Sequence, residues 1–125
     1  MIKRNVILEK SYLFGIRTVK LFLYMKEKGA EQVLMRQLLK SGTSIGANVE
    51  EAVGASSGRD FIYKLDISYR ETRETIFWLK LLRDTQIPEQ KMAASMLKDS
   101  EELARIIGSI QKSIKNPNNK TTPNS

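Results

Sequence analysis

Four glutamates near the middle of the chain, Glu50, Glu51, Glu71 and Glu74, are the residues best placed to do chemistry. Carboxylates on adjacent helices can face inward, as in bundles that hold two metal ions. Those centres also take a histidine from each of two helices, and this sequence has no histidine and no cysteine. The sequence therefore predicts no metal site and no cofactor. A carboxylate metal enzyme that uses Glu51, Glu71 and Glu74 stays as a third alternative.

Three hydroxyl residues, Ser41, Thr43 and Ser44, are the candidate nucleophiles. A serine hydroxyl is inert without an activating base, and there is no histidine to supply one. The nearby glycines, Gly42 and Gly46, lack the lysine and the spacing of a phosphate-binding Walker loop. The sequence accordingly predicts a protein that is not an enzyme and has no catalytic residue.

Asn48 and Trp78 each allow a functional and a structural interpretation. Asn48 can contact a ligand, but we favour an amide that bonds to a neighbouring helix and fixes its register, as buried Asn does in coiled coils. For Trp78, the only tryptophan, we favour an interface anchor or core residue over a platform for base stacking. Structural roles are predicted for seven residues: Gly42, Ile45, Gly46, Asn48, Glu51, Glu74 and Trp78.

The charge balance points to polyanions as partners. The 125 residues include 21 Lys and Arg against 14 Asp and Glu, a formal net charge of +7, which favours RNA or DNA. No aromatic-interleaved basic motif and no helix-turn-helix stands in the linear sequence, so we expect non-specific, salt-sensitive phosphate contacts. The candidate cations, those after residue 58 contributing where ion pairs leave them free, are Lys3, Arg4, Lys10, Arg17, Lys20, Arg59, Lys64, Arg70 and Arg73.

The hydrophobic spacing predicts an all-α domain over residues 1–115, and no segment alternates with the period of a strand. Because the breaks between helices are short, neighbouring helices must be antiparallel, which gives an up-down-up-down four-helix bundle. Gly29 is expected to end the first helix and Ser56 or Ser57 to cap the third. The predicted helices span about 5–28, 31–53, 58–83 and 88–115, with Glu31 and Pro88 in first turns, and a disordered polar tail follows at 116–125.

The segment from Ser41 to Ala52 decides the architecture. Its glycines and hydroxyl residues favour a loop, since glycine costs about 1 kcal/mol relative to alanine inside a helix. Its apolar and small residues recur at steps of three and four, which indicates a continuous helix. We favour the helix, with Gly42 and Gly46 allowing a neighbouring helix to approach closely.

The first predicted helix is too apolar for a single bundle. Its apolar residues extend around most of the cylinder instead of forming one stripe, so more than its own bundle must cover them. We interpret the surplus as a contact between subunits. The longest apolar run, Leu21 to Met25, is far too short to span a membrane, and the start of the chain does not resemble a signal peptide, so a cytoplasmic protein without a membrane partner is expected.

Four stretches of the sequence carry a family resemblance. Residues 37–54 read QLLKSGTSIGANVEEAVG, and RDFIYKL at 59–65 and RETRE at 70–74 lead into WLKLL at 78–82. Over about residues 8–114 the chain resembles the four-helix-bundle family named after proteins encoded in intervening sequences of bacterial 23S ribosomal RNA. The resemblance implies an antiparallel bundle that assembles into a ring-shaped homopentamer. That family also includes an accessory protein of diversity-generating retroelements, a basic barrel that binds nucleic acid and a reverse transcriptase.

Two functional hypotheses follow. The leading one is a non-enzymatic homo-oligomer, pentameric by resemblance, that binds RNA or DNA without sequence specificity through phosphate contacts. A ring of five copies would carry about +35 and a strong field for polyanions. The alternative is a scaffold that docks a partner protein, such as a reverse transcriptase, and has no nucleic-acid role.

Overall fold

Every regular element of the described chain is helical. The computed structural model describes residues 2–29, 32–85 and 89–116, with no strand among them. The helices are α1 (Ile2–Glu27), α2 (Gln32–Val53), α3 (Gly58–Thr85) and α4 (Gln90–Lys115). The all-α prediction is confirmed, although α1 begins about three residues before its predicted start.

The helices run antiparallel around a square. α1 contacts α2 and α4, and α3 contacts α2 and α4, while the backbones of the diagonal pairs stay apart within the described residues. Along each contact the residue number rises on one helix as it falls on the other, which confirms the up-down-up-down topology. One pair from each contact marks this register: Thr18 and Gly42, Ser41 and Thr75, Asp66 and Gln111, Lys10 and Glu102.

Two helix ends follow local sequence signals. Gly29 has φ +78° and its N–H bonds to the carbonyl of Lys26 at 3.0 Å; glycine takes this left-handed conformation without a steric penalty. At the start of α3, the Ser57 hydroxyl accepts the N–H of Asp60 at 3.1 Å, which satisfies an amide that has no partner within the helix. Three predictions fall outside the described residues: Glu31 in α2, Pro88 in α4 and the tail from residue 117.

The segment from Ser41 to Ala52 lies inside α2, so the periodicity overrides the loop-forming composition. Gly42 faces the side chain of Thr18, where an added Cβ would lie 2.7 Å from Cγ2. A Cβ on Gly46 would lie 3.0 Å from the carbonyl oxygen of Ser11. α1 and α2 therefore approach at distances that leave no room for a larger residue at Gly42.

The bundle interior combines apolar side chains with hydroxyls. Among the described residues seven hydroxyl residues are buried, and most bond to a carbonyl in their own helix, as buried polar groups must find partners. Two hydroxyls on α3 donate hydrogen bonds to α2. Thr75 Oγ1 donates to Ser41 Oγ at 2.9 Å, and Ser68 Oγ donates to the Ile45 carbonyl at 2.9 Å. The buried hydroxyl residues are Ser11, Thr18, Ser41, Ser68, Thr72, Thr75 and Ser100.

Candidate functional site

Three of the five cations predicted on α1 contact α4. Lys3 Nζ donates to Ser109 Oγ at 2.7 Å, Lys10 pairs with Glu102 at 3.5 Å, and Arg17 bonds to Asp99. The seven-residue spacing of these cations does keep them on one line of the helix. That line is the α1–α4 contact, because α4 presents acidic and hydroxyl residues at the matching heights. These three cations are therefore engaged within the subunit.

Two further candidate cations are also engaged. The guanidinium of Arg4 lies 4.0 Å above the centre of the Phe61 ring, a cation–π contact. Lys64 Nζ pairs with Glu51 at 2.8 Å, and the hydrogen bond that it donates to that carboxylate raises the pKa of Lys64 above its ordinary value. Arg4 and Lys64 thus serve contacts between helices, and Glu51 links α2 to α3.

Four of the nine candidates are exposed and take no part in the contacts above: Lys20, Arg59, Arg70 and Arg73. Within the described part of the chain none of them is in an ion pair. Lys20 lies on α1 and the three arginines on α3. Among the nine candidates, the cations left available to a polyanion are therefore mostly on α3.

The prediction that Asn48 bonds to a neighbouring helix is wrong. Its side-chain N–H donates to the Ser44 carbonyl at 2.8 Å, one turn back in α2, and the residue is half-buried. It does not bond across to another helix within the described residues, because the carbonyl of its own preceding turn is already in reach. The buried hydrogen bonds that cross from α3 to α2 come instead from the hydroxyls of Thr75 and Ser68.

Trp78 is half-buried against the core, and its indole N–H donates to Glu74 Oε2 at 3.0 Å. The Phe77 ring meets it edge to face, with centroids 5.1 Å apart and planes at 67°. Trp78 therefore connects the core to the outer surface of α3.

The remaining carboxylates show no shared site. Burial first, and the neighbouring Glu74 second, raise the pKa of Glu71, against the opposing effect of Lys40 and Arg70. Across residues 2–29, 32–85 and 89–116, acidic side chains do not gather in groups of three or more that could hold a metal ion. Within the same residues, no helix is long and apolar enough to cross a membrane.

An uncovered apolar face runs along α1. Tyr12 is 69% exposed and Leu23 57%, and Ile16 and Val19 between them are also exposed. Steps of three and four residues place all four on one face of the helix. Next to this α1 apolar face a groove of about 610 Å³ opens between α1 and α2, floored in part by Gly15, Gly46 and Ala47.

Sequence reasoning missed a second surface, on α3. Tyr63 and Phe77 are exposed aromatic residues, 14 positions apart with Arg70 midway between them. In the linear sequence Phe61, Tyr63 and Tyr69 all lie between Arg59 and Arg70, so the sequence does not show which rings share a face with the arginines. The signal is visible only when α3 is read at helical spacing, where steps of seven residues return to the same face.

The fold and these surfaces define an antiparallel all-α four-helix bundle with an apolar face on one helix and exposed cations on another. The family model of the 23S rRNA-intervening sequence protein matches residues 3–109. The chain belongs to this family, as its sequence resemblance indicated.

A solved structure supports the same assignment. The chain is similar to a protein of unknown function from the S23 ribosomal protein family of Bacteroides thetaiotaomicron VPI-5482, whose crystal structure was determined at 1.70 Å. The two share 41% sequence identity over 88% of this chain and 98% of the other, with a TM-score of 0.82. No curated protein matches the chain.

Proposed function

We propose that this protein is a non-enzymatic helical bundle that assembles with copies of itself, in a pentameric ring as the family resemblance implies, and that the assembly binds RNA or DNA. The observation that carries the proposal is the α1 apolar face. Four large side chains in one line face solvent there, although burying such a side chain contributes about 1.5–3 kcal/mol. A second copy of the chain is the occupant that can cover this face.

The groove beside this face suits a subunit contact. Gly15, Gly46 and Ala47 leave space between α1 and α2, and the exposed Tyr12 stands at its edge. A side chain from another copy can enter this space while Tyr12 packs against that copy. A cavity lined by small residues next to a large exposed ring allows the close packing that is found in protein interfaces.

The nucleic-acid part of the proposal rests on charge. The formal charge of +7 per chain adds up in an assembly, and a strong positive field draws polyanions to it. Arg59, Arg70, Arg73 and Lys20 supply phosphate contacts, since the other candidate cations are engaged within the subunit. Contacts of this kind carry no sequence information.

The native mass tests the assembly. Light scattering should give a multiple of the 14.3 kDa chain, five if the resemblance holds for ring size. Ile16→Glu together with Leu23→Glu should yield monomers, because a carboxylate cannot be buried unpaired in an apolar contact. Val33→Glu is the matched control, since Val33 is an exposed apolar residue on α2. A monomeric wild type, or an unchanged mass in the double variant, contradicts the proposed contact.

Titration of a labelled RNA at two salt concentrations tests binding. Affinity should fall steeply as salt rises, because each phosphate contact releases counterions. Absence of binding at low salt, in a protein whose oligomer is intact, refutes the nucleic-acid role and leaves the assembly standing.

One observation favours the alternative of a scaffold that docks a partner protein. Five of the nine candidate cations are held within the subunit: Lys3, Arg4, Lys10, Arg17 and Lys64. On this alternative the remaining charge keeps the assembly soluble. The RNA titration separates the two functions, since a scaffold of this kind does not bind RNA.

A further inference from the structure

The outer surface of α3 carries a stripe in which arginines alternate with aromatic rings. Arg59, Tyr63, Arg70 and Phe77 follow at steps of four, seven and seven residues, which keep side chains on one face of a helix. We call this set the α3 stripe. At 1.5 Å per residue it is about 27 Å long, which is the length of several nucleotides of an extended strand.

Both rings of the α3 stripe are open to solvent, and each contacts a neighbouring side chain. Tyr63 is 57% exposed and Phe77 53%. Lys64 Nζ lies 5.8 Å from the centre of the Tyr63 ring, and Trp78 meets the Phe77 ring edge to face. Trp78 is itself packed on the core. The rings are thus supported in place before any ligand arrives, which lowers the entropy cost of binding.

The α3 stripe has a surplus of positive charge. Arg59, Arg70 and the adjacent Arg73 are exposed, and no ion pair is formed by them within the described residues. The nearby carboxylates of Asp66 and Glu74 accept hydrogen bonds inside the subunit. Asp66 is paired with Lys115, while Glu74 accepts only a neutral indole N–H and keeps its charge. Arg59, Arg70 and Arg73 outnumber it, and a guanidinium matches phosphate geometry well.

We propose that the α3 stripe binds single-stranded RNA or DNA, with bases stacked on Tyr63 and Phe77 and phosphates paired with Arg59 and Arg70. This inference rests on the proposed function and deepens it, since it names the form of nucleic acid and the surface that binds it. Exposed aromatic rings combined with arginines are how proteins bind single strands without sequence preference.

Single strands are favoured over duplexes for a geometric reason. In a duplex each base is stacked on its neighbours, so its face cannot meet Tyr63 or Phe77. A duplex can still pair its phosphates with the arginines, but it gains nothing from the rings. The α3 stripe should therefore prefer single strands, and the preference should depend on the two aromatic residues.

Fluorescence anisotropy with a labelled single-stranded 12-mer and the matching duplex tests the inference. The wild type should bind the single strand more tightly. Tyr63→Ala with Phe77→Ala should weaken single-strand binding by at least about 25-fold, because each stacked base contributes at least a factor of about five. Duplex affinity should change by less than about threefold, since phosphate contacts are untouched.

Two variants serve as controls. Tyr63→Phe keeps the ring and should retain single-strand affinity. Tyr24→Ala removes an exposed aromatic residue from α1 and should leave affinity unchanged. Circular dichroism and light scattering establish that the double variant keeps its helices and its oligomeric state.

Each remaining outcome overturns the inference. If Tyr63→Ala with Phe77→Ala binds single strands like the wild type, or if both nucleic acids weaken equally, stacking on these rings is wrong while the proposed function survives. If the double variant loses its oligomeric state, a second copy of the chain covers the α3 stripe. If the wild type binds neither nucleic acid, the proposed function fails as well, and the surface is left to a protein partner.

Discussion

Gly42 shows how one missing methyl group sets the distance between two helices. A Cβ at this position would lie 2.7 Å from Thr18 Cγ2 and 2.8 Å from Thr18 Oγ1. That side chain has little freedom, because its hydroxyl donates to the Phe14 carbonyl at 2.8 Å. We predict that Gly42→Ala lowers the free energy of unfolding by about 1 kcal/mol or more in urea denaturation, since the cost of overpacking exceeds the gain in helix propensity.

The matched control is Gly108→Ala on α4. There a Cβ would meet only Tyr69 Cε1, at an ordinary 3.8 Å. The same gain in helix propensity should then raise the free energy of unfolding by about 0.5–1 kcal/mol. Thr18→Ala in the Gly42→Ala background should recover part of the loss. Equal effects at the two glycines would contradict the close approach of α1 and α2.

Glu71 makes a prediction about pH. Its raised pKa means that the folded state holds this proton more tightly than the unfolded state, so ionisation lowers stability as pH rises above the ordinary value of 4.5. Below that value the carboxyl is protonated in both states and has no effect. Glu71→Gln should therefore stabilise the protein near pH 7, by less than about 1 kcal/mol because the group is largely solvated. Denaturation at pH 4 and pH 7 measures this, and a gain independent of pH would refute it.

At the scale of the elements, periodicity predicted more than composition did. Steps of three and four residues placed α2 through Gly42 and Gly46, because the burial of one face outweighs the weak propensity of two glycines. Helix ends followed from local chemistry at Gly29 and Ser57. The sequence could not show the rotation of α1 about its axis, and so could not reveal that Lys3 and Arg17 face α4.

The candidate site was less accessible to sequence reasoning for the same reason. The charge of an arginine is visible in the sequence, but the availability of that charge depends on what the neighbouring helix presents. Lys64 and Arg70 look alike in sequence, and only Lys64 meets a carboxylate across the bundle. Exposed rings such as Phe77 have the same ambiguity, since an aromatic residue on a helix is more often part of the core.

The contact between α1 and α4 leads to a prediction of its own. Arg17 bonds to Asp99 and to Ser95, the latter at 2.9 Å. Arg17→Glu would place two carboxylates side by side, so we expect a loss of about 1 kcal/mol in the free energy of unfolding, smaller at high salt. The reversed pair, Arg17→Glu with Asp99→Arg, should recover much of it, as a double-mutant cycle can measure.

Lys20→Glu is the control for this contact. Lys20 lies three residues further along α1, is exposed, and has no ion-pair partner in the described chain. Its reversal should change the free energy of unfolding by less than about 0.5 kcal/mol. If Arg17→Glu is as harmless as Lys20→Glu, the polar α1–α4 contact contributes nothing to stability.

At the scale of the whole molecule, the square arrangement separates the two surfaces. α1 and α3 occupy opposite corners, and their backbones stay apart within the described residues although Arg4 reaches the Phe61 ring. Their outer surfaces therefore point away from each other. The α1 apolar face can be covered by another subunit while the α3 stripe stays open. A bundle of this form can thus assemble and bind a strand at the same time, and variants on one surface should leave the other intact.

The final prediction counts phosphate contacts in the assembled protein. For single strands, the logarithm of the binding constant falls with the logarithm of salt concentration by about 0.7 for each phosphate contact. Replacing Arg59, Arg70 and Arg73 by Gln should therefore reduce the magnitude of that slope by about 2 or more, depending on how many subunits a strand meets. Anisotropy titrations with a single-stranded oligonucleotide over a series of salt concentrations give the slope directly.

The matched control removes cations that the structure assigns to contacts within the subunit. Lys3→Gln with Lys10→Gln subtracts two charges from α1, so the general field weakens, but no phosphate contact is lost and the slope should stay within about 0.5 of the wild-type value. The comparison separates the effect of phosphate contacts from that of the general electrostatic field. The triple variant changes both, whereas the control changes only the field. A slope that falls equally in the two variants would mean that net charge alone draws nucleic acid to the assembly, without any defined surface on α3.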